Sequence, residues 1–190
     1  SMAWLAEMMG RRVATLGGGY KTFRRWAIES TGHGEALIHV VAGLTGSGKT
    51  QVLHALEALG ECVIDLEKLA HHKGSAFGDL GEPKQPTQEQ FENELAMAWR
   101  ARRPDAPLWV EDESRTVGRC VLPEAFWQAK QAGLFHVLDL PEEARLDHLG
   151  EIYLQHDAEK LIARIRIIHK RLGGDRTAAA IHAVENGDLR

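Results

Sequence analysis

Apolar and polar positions along the 190-residue chain change their period several times. Near-continuous apolar runs stand at residues 36–42, 62–66, 107–110 and 134–140. Between them, residues 49–59, 87–102 and 123–131 repeat apolar positions at the spacing of a helix with one buried face. Strands apolar on both faces and separated by helices predict an α/β fold, with a mainly parallel sheet between helices.

Residues 142–190 read as almost wholly helical. In 158–172 the stripe Leu161, Ile165, Ile168 and Leu172 is expected to pack inward, leaving Lys160, Arg164 and Arg171 on a solvent face. Gly173-Gly174 ends that helix, and a last one is expected over 176–185. At the other end, Ala3, Leu5, Met8 and Met9 share a helical face that Gly10 terminates. Residues 12–16 read as a short strand, Gly17-Gly18-Gly19-Tyr20 as a tight turn and 21–29 as a helix. Thirty residues cannot bury a core alone, so this piece is expected to pack on something else or to belong to a further domain. Residues 30–34 read as its linker.

Composition narrows the classes. A chain this long buries roughly 70% of its unfolded surface and needs no metal or disulfide to hold a core. Hydrophobic residues make up 44% and charged residues 26%, which excludes a disordered tail, a collagen-like fibre and a coiled coil. With 23 Lys and Arg against 27 Asp and Glu, the net charge is −4, so any nucleic-acid contact must use a localised basic patch. Cys62 and Cys120 fit no metal or redox spacing and suggest a reducing, cytoplasmic compartment. The longest apolar stretch, 36–44, is interrupted by His39 and falls far short of the ~20 residues of a membrane span. Arg11 and Arg12 follow the first apolar residues rather than precede them, unlike a signal peptide.

Candidate chemistry starts at Gly43-Leu44-Thr45-Gly46-Ser47-Gly48-Lys49-Thr50, a full match to G-x-x-x-x-G-K-[ST]. Given ordinary residue frequencies, a chain of this length should show on the order of 0.01 such matches by chance. The motif also follows an apolar strand and opens a helix, where backbone N–H groups converge on phosphate oxygens. The sheet is therefore expected to be P-loop NTPase-like. Gly43, Thr45, Gly46, Ser47, Gly48, Lys49 and Thr50 are the expected phosphate-binding set, with Lys49 reaching the terminal phosphate and Thr50 ligating Mg²⁺. A metal-side carboxylate is expected at a neighbouring strand end. Glu111 or Asp112 supplies it after the 107–110 strand, with Asp65 on the same sheet edge. Asp65 and Glu67 fit equally well as caps of the following helix.

Several other segments serve no purpose in a bare nucleotide fold. They are Asp65-Leu66-Glu67-Lys68-Leu69-Ala70-His71-His72-Lys73-Gly74-Ser75-Ala76-Phe77-Gly78, Gln85-Pro86-Thr87-Gln88 with Phe91-Glu92-Asn93, and Trp109-Val110-Glu111-Asp112-Glu113-Ser114-Arg115 with Val117-Gly118 and Pro123. With the P-loop they resemble the tRNA 2-selenouridine synthase family, which acts on the wobble uridine of certain tRNAs. Gly18-Gly19-Tyr20-Lys21-Thr22-Phe23-Arg24 and the residues before it resemble the end of the rhodanese-like domain that precedes the P-loop domain in that family. The implied division is 1–30 for the rhodanese remnant, 31–145 for the P-loop domain and 146–190 for a helical segment. Neither cysteine corresponds to the family's reactive rhodanese cysteine, and family members continue past Gly187-Asp188-Leu189, so a fragment is expected. Lys73 stands where the family usually has arginine, which keeps charge but gives up bidentate phosphate contact.

The resemblance implies conversion of 2-thiouridine to 2-selenouridine through an S-geranyl intermediate, with geranyl diphosphate as prenyl donor and selenophosphate as selenium donor. It further implies a selenophosphate-supplying enzyme and a wobble 2-thiouridine tRNA as partners, and no membrane. Lys49, Arg115, His71 and Lys73 are then the expected catalytic residues, the last two on a lid loop with His72 and Ser75. Gln85 and Gln88 either read a base edge or cap the next helix. Expected tRNA contacts are Arg24, Arg25, Lys160, Arg164, Lys170 and Arg171. The same residues leave open a small-molecule kinase, with Arg145 after the fourth strand, or a non-catalytic nucleotide-dependent tRNA-binding module.

Overall fold

A computed structural model describes residues 2–187; Ser1 and positions 188–190 of the expected helical tail lie outside the described residues. Four parallel strands form the sheet in the order β2-β3-β1-β6. They are β1 (Ile38–Gly43), β2 (Cys62–Ile64), β3 (Leu108–Glu111) and β6 (Leu134–Leu138). The α/β class with a mainly parallel sheet between helices is therefore as the apolar runs predict. β1 and β3 at the centre are covered on both faces and buried almost throughout, whereas β6 at the sheet edge leaves Leu134, Phe135 and Val137 exposed.

On one face, Ile38, Val40, Leu108, Val110 and Ile64 meet Phe91, Leu95 and Trp99 of α5 (Gln88–Ala101) and Phe126 of α6 (Glu124–Gln131). On the other face lies α3 (Lys49–Ala58), whose Leu53 is fully buried. Thr87 caps α5 by accepting from Gln90 N at 3.2 Å. Trp109 packs with His39 and His136, ring centroids 4.5 and 5.0 Å away.

The N-terminal piece splits in two. α2 (Gly19–Ser30) docks on α5 through Tyr20 to Glu89, Arg24 to Glu92 and Asn93 Nδ2 to Tyr20 Oη at 2.9 Å. α1 (Met2–Met8) buries no residue. The strand expected over 12–16 is absent: those residues take no regular structure and Leu16 is exposed. An isolated extended segment has no ladder to bond to. The tail is helical as expected: α7 (Glu142–Tyr153), α8 (Ala158–Ile167), α9 (His169–Leu172) and α10 (Gly174–Asn186). Leu161 and Ile165 are buried, but the helix expected to run to 172 breaks at Ile168. Arg164 corrects the expected solvent face, since it is half-buried against Asp79.

Short elements complete the site side of the sheet: α4 (Leu66–Ala70) and the hairpin β4 (Thr116–Val117) and β5 (Cys120–Val121). Gln85 Nε2 donates to Ala70 O at 2.9 Å and Val117 O at 3.2 Å, tying hairpin to helix. Gln88 bonds both the N–H and the carbonyl of Val121, as a neighbouring strand would. Both glutamines are thus committed to backbone rather than presented to a base.

Gly32, between α2 and β1, has φ +81°, and a Cβ there would come within 2.2 Å of Phe126 N. Gly32→Ala is expected to cost more than about 2 kcal/mol, since backbone must move. Gly34→Ala, with φ +88° but open space around it, should cost about 1 kcal/mol. Urea denaturation of the two variants measures the difference.

Candidate phosphate-binding site

Gly43 ends β1, and the chain turns through residues 44–48 before α3 begins at Lys49. α7 packs directly on this turn. Gly46 has φ +85°, and a Cβ there would lie 2.6 Å from Arg145 O and 2.9 Å from Leu149 Cγ, so only glycine fits. Arg145 Nη1 donates to Thr45 O at 3.3 Å, and Gln51 Nε2 lies 2.8 Å from His148 Nε2.

These contacts frame a cavity of about 290 Å³. Its floor is the loop 45–48 with Lys49 and Thr50, and its walls are Glu67, residues 73–75, Glu113 and the α7 side chains of His148, Ile152 and Tyr153. The positive end of α3 opens into it, which favours an anion. Lys49 Nζ donates to Gly43 O at 3.0 Å, and Ser47 Oγ is buried with no partner.

The carboxylates sort themselves by the elements that carry them. Asp65 caps α4, accepting from Lys68 N at 2.7 Å, and its other oxygen is 3.0 Å from His54 Nε2. Two residues on, Glu67 reaches the P-loop: Thr50 Oγ1 donates to its Oε2 at 3.0 Å. Glu111 lies fully buried behind it, accepting from Glu67 N at 2.8 Å, while Glu111 Oε2 has no partner. Asp112 turns the other way and accepts from Lys130 Nζ at 2.9 Å. Lys130 is itself fully buried and also donates to Glu113 O at 2.6 Å, which sets the chain path that brings the Glu113 carboxylate into the cavity against Gly74.

Burial, with Glu113 nearby, pushes Glu67 up to about 7 against the opposing hydrogen bond from Thr50. Burial and the neighbouring Asp65 push Glu111 well above the usual carboxylate range. Glu113 is raised by burial and pulled back by Lys49 and Lys130. A cation placed among these groups would relieve all three. Among the described residues no three His, Cys, Asp or Glu side chains form a metal cage. What Thr50 and Glu67 offer is two hard oxygen donors, which suits Mg²⁺ that takes its remaining ligands from water and phosphate.

Other expected residues lie elsewhere. Lys73 lines the cavity but pairs with Glu82 at 3.2 Å and reaches Leu80 O at 3.4 Å. His71 ends α4 with φ 50°, its Nδ1 3.1 Å from Lys84 O, outside the cavity. His72 is lowered by burial, and its Nδ1 has no partner. Arg115 pairs with Glu124 at 2.6 Å and does not line the cavity. Of the basic residues expected to touch tRNA, Arg25, Lys160, Lys170 and Arg171 are exposed. Arg24 and Arg164 are half-buried in ion pairs with Glu92 and Asp79. Tyr153 and His148 were invisible to motif reasoning. The α7 spacing Leu146, Leu149, Tyr153 is the signal that marks a helix face turned toward a neighbour.

A family model described as the tRNA 2-selenouridine synthase AAA domain matches residues 36–187. The chain belongs to the tRNA 2-selenouridine synthase family. A tRNA 2-selenouridine synthase of Shewanella sediminis is 40% identical over 193 residues, covering 90% of this chain and 50% of that protein. That of Hahella chejuensis is 40% identical over 162 residues, covering 83% and 41%, and that of Shewanella frigidimarina is 35% identical over 207 residues, covering 98% and 55%. The chain spans about half the length of these synthases. No helix among the described residues is long and apolar enough to cross a membrane.

Two outcomes test the electrostatics. A carboxylate raised from its ordinary 4.5 to about 7 favours the folded state only while protonated. Its contribution is full below pH 4.5 and lost as pH rises through 7. Glu67→Gln should match wild type near pH 4 and exceed it by about 1–3 kcal/mol near pH 8 in metal-free buffer, read by thermal denaturation. Lys130→Ala leaves the Glu113 carbonyl unpaired and a cavity beside Trp127, and should cost about 2–4 kcal/mol in urea denaturation.

Proposed function

We propose that this chain is the diphosphate-binding half of an enzyme that converts wobble 2-thiouridine of tRNA to 2-selenouridine through an S-geranyl intermediate. The observation that carries the reading is the cavity built from the P-loop and the positive end of α3, with Lys49 and Thr50 at its floor. Geranyl diphosphate is the ligand assigned to it. Mg²⁺, held by Thr50, Glu67 and the ligand's phosphate oxygens, would neutralise charge on the diphosphate.

The residues of the chain supply the rest. As the tRNA sulfur attacks the allylic carbon, a C–S bond forms, the C–O bond to the diphosphate breaks, and the leaving group takes the electron pair. Lys49 and the backbone N–H groups of residues 46–50 face that growing charge. Glu111 has no free face in the cavity; its role is to hold the Glu67 backbone so that the Glu67 carboxylate reaches Thr50. Lys73, paired with Glu82, is positioned to exchange that partner for phosphate. Selenophosphate, from a partner enzyme that makes it, then attacks the ring carbon bearing that sulfur through its selenium. A C–Se bond forms, the C–S bond breaks and geranyl thiol leaves with the electron pair, and water cleaves the Se–P bond to release phosphate. Arg25, Lys160, Lys170 and Arg171 are the exposed cations available to tRNA phosphates.

Calorimetric titration with geranyl diphosphate and with ATP, each with Mg²⁺, tests the reading. Geranyl diphosphate should bind in preference to ATP, and Lys49→Ala should weaken it by about 10- to 100-fold, the effect of one charge-assisted hydrogen bond. A preference for ATP overturns the reading in favour of a kinase or a nucleotide-dependent binding module.

A further inference from the structure

The phosphate cavity has a second compartment beside it. α7 stands off from α8 and α10 and leaves an open groove of about 900 Å³. Its walls are Leu146 and Leu149 of α7, Leu154 at the end of that helix, Leu161 and Ile165 of α8, and Val184 of α10. Leu149 and Tyr153 line both compartments. Ser75 Oγ lies 2.7 Å from Tyr153 Oη, and the Phe77 ring is 5.6 Å from that of Tyr153, so the apolar wall runs on from the junction into the groove.

The two compartments have opposite chemistry. The cavity offers Lys49, Lys73 and the positive end of α3. The groove is apolar inside, and Glu143, Asp147 and Glu151 stand on its rim, where they repel an anion. Leu146 and Leu154 are 58% and 42% exposed there, apolar surface that a bound hydrocarbon would remove from water. A molecule with an anionic head and an apolar tail matches both halves at once; a nucleotide carries ribose hydroxyls and hydrogen-bonding base edges that the apolar interior of the groove does not meet.

We infer that the groove between α7, α8 and α10 seats the hydrocarbon tail of a diphosphate ester whose head lies in the P-loop cavity, and that the space beside Gly150 limits the tail length accepted. The inference rests on the diphosphate reading above and adds the residues that hold the tail. Gly150 lies in the groove wall, and a Cβ there would meet only Leu154 Cδ1, at 3.5 Å. A larger side chain at this position therefore enters groove space without disturbing backbone.

Three ligands separate the head from the tail: inorganic pyrophosphate, geranyl diphosphate and farnesyl diphosphate, each titrated with Mg²⁺. Wild type should bind geranyl diphosphate at least about tenfold tighter than pyrophosphate. In the double variant Leu146→Gln, Leu154→Gln that advantage should vanish while pyrophosphate affinity stays unchanged, which also shows that the variant is folded. Gly150→Leu should leave geranyl diphosphate within a few-fold and weaken farnesyl diphosphate by about tenfold or more. An unchanged ester-to-pyrophosphate ratio in the double variant, or no tail advantage in wild type, overturns the inference and leaves the diphosphate reading standing. An unchanged response of farnesyl diphosphate to Gly150→Leu overturns the length limit. Pyrophosphate binding that is absent, or indifferent to Lys49→Ala, overturns the diphosphate reading and the inference together.

Discussion

Glu111 has no contact with solvent and ends the central strand β3, immediately behind the P-loop. A buried carboxyl is costly unless its oxygens are partnered or it holds its proton. Here one oxygen is met by the Glu67 N–H, and burial pushes the group well above the usual carboxylate range. That one bond joins the end of β3 to the first turn of α4: it holds the Glu67 backbone in place, hence where Glu67 points, hence how Thr50 is held. The geometry of the phosphate cavity follows from it.

Lys130 performs the complementary task on the same strand end. Its ammonium group is buried beside Trp127 and bonded to Asp112 and the Glu113 carbonyl. Three consecutive acids leaving a strand would repel one another if they shared a direction. The lysine draws Asp112 outward, and Glu113 is thereby free to line the cavity. Acidity at the site is divided into a carboxyl that holds backbone, one that pairs with a lysine and one that faces ligand.

The helical tail is part of the site rather than an appendage. α7 contacts the P-loop with one face through Arg145, His148 and Leu149, and lines the apolar groove with another. Tyr153 joins the two and reaches Ser75 on the facing loop. A helix bearing two compartments of opposite chemistry explains why its apolar residues are incompletely buried: Leu146 and Leu154 face open groove rather than core.

Local chemistry was enough to determine much of this from the sequence. Apolar runs announced the four parallel strands; for β1 and β3 the reason is that a strand buried on both faces admits no polar alternation. The glycines, Lys49 and Thr50 announced a cavity at the P-loop, because the spacing itself places N–H groups, ammonium and hydroxyl together. Residues 12–16 had the composition of a strand, but pairing needs a neighbour that only the fold can supply. Among the acids, sequence pointed to Glu111 or Asp112 as the metal-side residue with Asp65 on the same edge, and offered Glu67 only as a cap. Tertiary structure separated them, since a cap, a buried lysine and a backbone N–H of α4 each claimed one and left Glu67 on Thr50. The pairing of Arg24 and Arg164, the contribution of Tyr153 and the groove beside α7 were decided in the same way. The two ion pairs and the Tyr153 contact depend on which residue lies opposite in space, sixty or more positions away along the chain, and the groove on how α8 and α10 stand against α7.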